Sequence, residues 1–140
     1  MRLSTLPRSA QFFLLAVVAA GTTALVAALQ TRPTEPLALA ALAGFAIIFS
    51  TWQVELVVLN TVLTLGSAVV CLAMLLDGPT AAVLCAAIGA LVGTLARIEP
   101  GRWLPRMRPG ETLRVVFNVA NCVLATGAAA AAHQATVQAV

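Results

Sequence analysis

Residues 37–76 read LALAALAGFAIIFSTWQVELVVLNTVLTLGSAVVCLAMLL, an apolar stretch with one acid, Glu55, and no base. As a single helix these forty residues would be about 60 Å long, twice the ~30 Å hydrocarbon core of a bilayer. The stretch must therefore fold back on itself. Its polar interruption, Ser50-Thr51-Trp52-Gln53-Val54-Glu55, is the expected turn.

Working outward from this hairpin, short polar breaks divide the chain into five spans, each close to the ~20 residues a bilayer core needs. They cover about 11–29, 37–52, 56–76, 80–96 and 113–132, separated by Gln30-Thr31-Arg32-Pro33-Thr34-Glu35-Pro36, the turn above, Asp77-Gly78-Pro79 and a basic loop at 97–112. The seven prolines, Pro7, Pro33, Pro36, Pro79, Pro100, Pro105 and Pro109, all fall outside the spans. Proline inside a helix loses a hydrogen bond and clashes with the preceding turn. The expected architecture is an all-α integral membrane helical bundle with no separate soluble domain.

Composition excludes the other classes. Of 140 residues, 61% are hydrophobic and 9% charged, with a mean hydropathy of +0.99. A globular domain carries about 25% charged residues, a disordered chain is far less apolar, and three cysteines do not make a disulfide scaffold. All eight basic residues are arginine, a bias that a GC-rich coding sequence produces. Nucleic acid is excluded as a partner, because no soluble face gathers bases with aromatics.

Placing the N-terminus in the cytoplasm puts Arg2, Arg8, Arg97, Arg102, Arg106, Arg108 and Arg114 at the inner side and leaves Arg32 alone outside. This is the positive-inside pattern. His133 then sits near the outer end of the last span, as an interfacial residue. A competing reading takes the N-terminus as a signal peptide: Arg2 and Arg8, an apolar core from Phe12 to Ala20, then small residues. The run stays apolar to Leu29, which suits a span better. The loop Arg97–Arg108, with Trp103 as an anchor, is expected to lie on anionic headgroups of the bilayer.

Candidate functional residues are few. Cys71, Cys85 and Cys122 lie inside spans without a C-x-x-C or a nearby histidine, so they read as apolar fillers and no metal or cofactor is expected. No nucleotide-binding, hydrolase or zinc-protease motif occurs, and the chain is not expected to be an enzyme. Gly89 and Gly93 form a G-x-x-x-G that lets another backbone approach, within the chain or, alternatively, in a second copy or a partner membrane protein. Two polar rows repeat a 4,3 spacing: Asn60, Thr64 and Ser67, continued by Cys71, and Arg114, Asn118 and Asn121. Such spacing keeps residues on one helix face, and polar groups at membrane depth turn inward. They are either interhelical hydrogen-bond glue or the wall of a small polar pocket. If the rows meet, Asn118 bonds Thr64. Arg114 at the inner edge is expected to snorkel to phosphates.

The second half of the chain resembles the multi-pass N-terminal sensor region of bacterial HD-GYP and GGDEF signalling proteins. The resemblance rests on Thr64-Leu65-Gly66-Ser67, Leu75-Leu76-Asp77-Gly78-Pro79, the small-residue helix Ala81 through Gly93, and Arg114-Val115-Val116-Phe117-Asn118-Val119-Ala120-Asn121. It covers roughly residues 59–132. Asn121 stands where the pattern expects glutamine, and a sixth span and an output domain are missing from these residues. The resemblance implies a membrane-embedded sensor or input module in the inner membrane, truncated or split from its output. A small transporter or membrane-embedded binding subunit, and a structural assembly partner, are the alternatives.

Overall fold

The computed structural model describes residues 7–30, 35–51, 53–56, 61–97 and 109–138. Asn60, Trp103 and most of the basic loop, residues 98–108, lie outside the described residues. Five helices, α1 (Arg8–Gln30), α2 (Pro36–Thr51), α3 (Gly66–Leu76), α4 (Pro79–Leu95) and α5 (Pro109–Gln138), carry the architecture, with a two-stranded antiparallel hairpin of β1 (Gln53–Leu56) and β2 (Thr61–Thr64) before α3. Pro36, Pro79 and Pro109 each open a helix, where the missing N–H costs nothing and the fixed φ suits the first turn.

Helices occupy the residues of four of the five expected segments, and the third needs correction. Residues 56–76 are not one helix. Residues 61–64 pair with 53–56, Gln53 opposite Thr64 and Leu56 opposite Thr61, and α3 starts only at Gly66. The physical reason lies in Gln53-Val54-Glu55-Leu56 and Thr61-Val62-Leu63-Thr64. They alternate polar and apolar residues or carry β-branched ones, which a pleated ribbon prefers over a helix. The segment expected as a plain turn thus divides between the end of α2 and β1. At the other end, α5 begins at Pro109, inside the expected loop, and runs past Ala132 to Gln138, placing His133 on an exposed helical turn.

Local contacts fix the helix directions. A Cβ on Gly89 would lie nearest the Ala46 carbonyl and one on Gly93 nearest that of Ser50, so α2 and α4 run parallel. The tight turn at Asp77-Gly78 makes α3 antiparallel to α4; Gly78 has φ +88° and ψ −171°, a region that is essentially glycine-only. Thr94 near the end of α4 meets Asn118 near the start of α5, so these two are antiparallel. Phe13 pairs with Phe117 at 6.3 Å between ring centroids, and Gly21 abuts Ala120, so α1 and α5 are parallel. Directions therefore alternate along the chain. Arg8, Arg97, Arg114 and Glu111 stand at one end of the bundle, and Glu35 and Asp77 at the other.

The interior is built of small residues. Ala46, Ala73, Ala81, Ala82 and Cys85 are buried with Leu42 and Val69 where α2, α3 and α4 meet, and Ala28, Val83 and Val123 form a second cluster among α1, α4 and α5. Large apolar side chains face outward instead: Phe12 is 73% exposed, Leu37 83% and Leu75 75%. Among the described residues, two helices, α1 and residues 110–138 of α5, are long and apolar enough to cross a membrane, while α2, α3 and α4 are shorter apolar helices.

At Gly21 an added Cβ would stand 2.7 Å from the Ala120 Cα and carbonyl oxygen. Gly21→Ala must push α1 away from α5, at a cost of about 1–3 kcal/mol. Gly44 has nothing within 4 Å of such a Cβ, so Gly44→Ala should be neutral or mildly stabilising through helix propensity. Thermal unfolding followed by circular dichroism compares the two, and equal shifts would contradict the close α1–α5 contact at Gly21. Gly78→Ala, by contrast, should lose about 1–3 kcal/mol through backbone strain alone; an unchanged melting temperature would contradict the left-handed turn.

Candidate functional site

α3 and α5 both lie along α4 but pack far less against each other. Between them is a groove of about 450 Å³. Its floor is the small-residue face of α4, including Cys85, Ala86, Gly89, Ala90, Gly93 and Thr94. Ser67, Cys71 and Met74 are on the α3 wall, and Asn118, Asn121, Cys122, Ala125 and Ala129 are on the α5 wall. Ser50 of α2 and Arg97, just past α4, join the lining.

Small residues on α4 shape this floor because larger ones would keep α2 away. A Cβ on Gly93 would be 3.0 Å from the Ser50 carbonyl oxygen, one on Gly89 3.8 Å from Ser50 Cβ, and one on Gly66 3.4 Å from Ser50 Cα. Three glycines from two helices thus surround one serine. Gly89 and Gly93 meet α2 within the chain. Ser50 is buried, and its hydroxyl donates to the Ile47 carbonyl at 2.9 Å, so its polarity is met inside its own helix.

The expected polar rows come together only in part. Ser67 and Cys71 of α3 and Asn118 and Asn121 of α5 line the same groove. Thr64 does not continue a helical row, because it closes β2, one residue before the turn into α3. Asn60 lies outside the described residues. Arg114 is exposed and is not among the groove's lining residues. The expected partner of Asn118 also changes. Its Nδ2 donates to Thr94 Oγ1 at 3.3 Å, while the Thr94 hydroxyl donates to the Ala90 carbonyl at 2.7 Å. Asn118 therefore ties α5 to α4, not to the third span.

Sequence reasoning missed Ser50, Thr94 and Arg97 as site residues. Thr94 carried a usable signal, since it is the one hydroxyl in the inner half of the fourth span and directly follows Gly93. Ser50 was hidden by its assignment to a turn. The three cysteines, read as independent fillers, all line the groove as free thiols: Cys71 exposed, Cys122 partly buried and Cys85 buried. Among the described residues no group of three His, Cys, Asp or Glu side chains is arranged to hold a metal ion.

The Asn118–Thr94 bond should contribute about 1 kcal/mol, as interhelical hydrogen bonds between apolar helices do. Asn118→Leu with Thr94→Val should then cost less than the sum of the single changes, since either one already removes the bond. Asn118→Leu with Thr64→Val should be additive. The opposite pattern in a double-mutant cycle of unfolding free energies would restore the α3 pairing. Comparison of the chain with family models, with curated proteins and with solved structures found no match.

Proposed function

We propose that this chain is a multi-pass input module of the cytoplasmic membrane, in which a small molecule held between α3 and α5 changes how those helices stand apart. The observation that carries this reading is the groove itself. Two walls rest on a common floor with little direct contact, so an occupant would change the α3–α5 spacing. A population shift needs such differential contact between ligand and helices. The resemblance to the sensor regions of HD-GYP and GGDEF proteins supports the same role, with the output made by another domain or partner. Binding, not catalysis, is the activity.

Several features support placement in a bilayer. Phe, Leu and Ile are prominent on the outer surface, while most of the buried residues are Ala, Gly and Val, and small interior residues are what close helix packing in lipid needs. The hydroxyls of Thr22, Thr23, Ser50, Thr51, Thr94 and Thr136 donate to carbonyls three or four residues back in their own helices, which meets their bonding needs without water. α1 and α5 are about 35 Å and 45 Å long by rise per residue, and α2 and α4 about 25 Å. α3 is only about 17 Å. The β1–β2 hairpin precedes α3 at the arginine-rich end, and because a two-stranded ribbon leaves its outer edges unpaired, it belongs at the water-accessible interface and not in the hydrocarbon core. With Arg8, Arg97 and Arg114 at that end, the positive-inside pattern turns it to the cytoplasm.

Reporters fused after Glu35 and Gly78 should read extracytoplasmic and one after Met107 cytoplasmic. A cytoplasmic signal at Gly78 would overturn the alternating topology. For the groove, native mass spectrometry of protein released from membranes should show a retained small molecule on the wild type. Ala125→Phe, which fills the α5 wall, should lose it while keeping its helical circular dichroism. A wild type without adduct, or equal adducts on both, would overturn the reading.

A further inference from the structure

The groove is polar at one end and apolar along the rest of its length. Because α4 runs antiparallel to both walls, its Gly93-Thr94 end lies beside the Gly66-Ser67 end of α3 and the Asn118-Asn121 end of α5. Ser50, Ser67, Thr94, Arg97, Asn118 and Asn121 therefore gather at one end of the cavity. Met74, Cys85, Ala86, Cys122, Ala125 and Ala129 line the remainder, interrupted by a single hydroxyl, Thr126. Among the described residues, none that lines the groove is acidic. The Asn121 carboxamide has no hydrogen-bond partner among the described residues, and Asn118 uses one of its two N–H groups on Thr94.

From this polarity we infer that the occupant is a single-chain anionic amphiphile, an alkyl chain with a carboxylate or phosphate head. The inference rests on the proposed membrane-embedded binding role and names its ligand class. The head is received by donors: the Arg97 guanidinium, the Asn118 and Asn121 carboxamides and the Ser67 hydroxyl. Charge-assisted bonds of this kind are the strong ones. The tail lies over the Ala and Cys floor toward Met74 and Ala129. Ser67 to Met74 rises about 10 Å and Asn118 to Ala129 about 16 Å, which suits a medium-length alkyl chain. A groove of about 450 Å³ sits within the ~300–1,000 Å³ of small-molecule pockets. The polar end is the arginine-bearing end of the bundle, so the ligand's head stands at the same level as the headgroups of the inner leaflet.

The cysteines on the walls report occupancy directly. With the full chain in phosphatidylcholine nanodiscs, N-ethylmaleimide alkylation of Cys71 and Cys122 is followed by peptide mass spectrometry. Dodecanoate or dodecyl phosphate should slow both reactions, and the stronger protector identifies the head. Dodecanol, with the same chain and no charge, should need about tenfold more for equal protection, the value of one charge-assisted hydrogen bond. Arg97→Gln should narrow that difference, and Asn121→Leu should do the same if Arg97→Gln does not fold. Equal protection by dodecanol overturns the anionic head and leaves the binding groove standing. Protection by none of the three overturns both.

Discussion

The approach of α2 to α4 at Ser50 is the constraint on which the rest of the structure depends. Gly66, Gly89 and Gly93 leave no side chain between Ser50 and the helices beside it. That contact sets α4 deep in the bundle, with α1, α2, α3 and α5 all against it. A larger residue at Gly93 would meet a carbonyl oxygen and not a flexible side chain, so the helices themselves would have to move. Cores cannot absorb such a shift gradually.

The same choice of small residues produces the groove. A floor of Ala, Gly and Cys is low, and the walls on either side stand on it without meeting. On the far side of α4 the space is closed, because Val83, Val123 and Ala28 interlock and Gly21 admits Ala120. On the groove side α3 has only eleven residues and ends at the Gly78 turn, while α5 runs on for thirty. A short wall facing a long one leaves space that side chains of this size do not fill.

Polar groups are distributed by the same logic. Most hydroxyls bond to carbonyls of their own helix and so add little to helix association. The Asn118 to Thr94 bond does cross between elements, at the end where the groove is polar. That bond holds the α5 wall against the floor, while Asn121, one turn further along α5, also lines the groove. The position that steadies the groove and the positions available to a ligand are thus adjacent turns of one helix.

The sequence by itself determined the order of the apolar helices, the limits of α1, α2 and α4 to within a few residues, their alternation and the segregation of arginine, because hydropathy, proline and charge act locally along the chain. It also put Asn118 with Asn121 and Ser67 with Cys71 on shared helix faces, since a 4,3 spacing carries that information whatever the partner; all four line the groove, with Ser67, Cys71 and Asn121 exposed there. Only the tertiary structure decided what those residues meet. Thr94, not Thr64, takes Asn118, because residues 61–64 pair across a hairpin whose strand preference a span-length apolar run conceals. Ser50 became a packing centre because three glycines distant in sequence converge on it. Interhelical partners depend on which faces come within a few ångströms of each other, and no periodicity within one helix contains that distance.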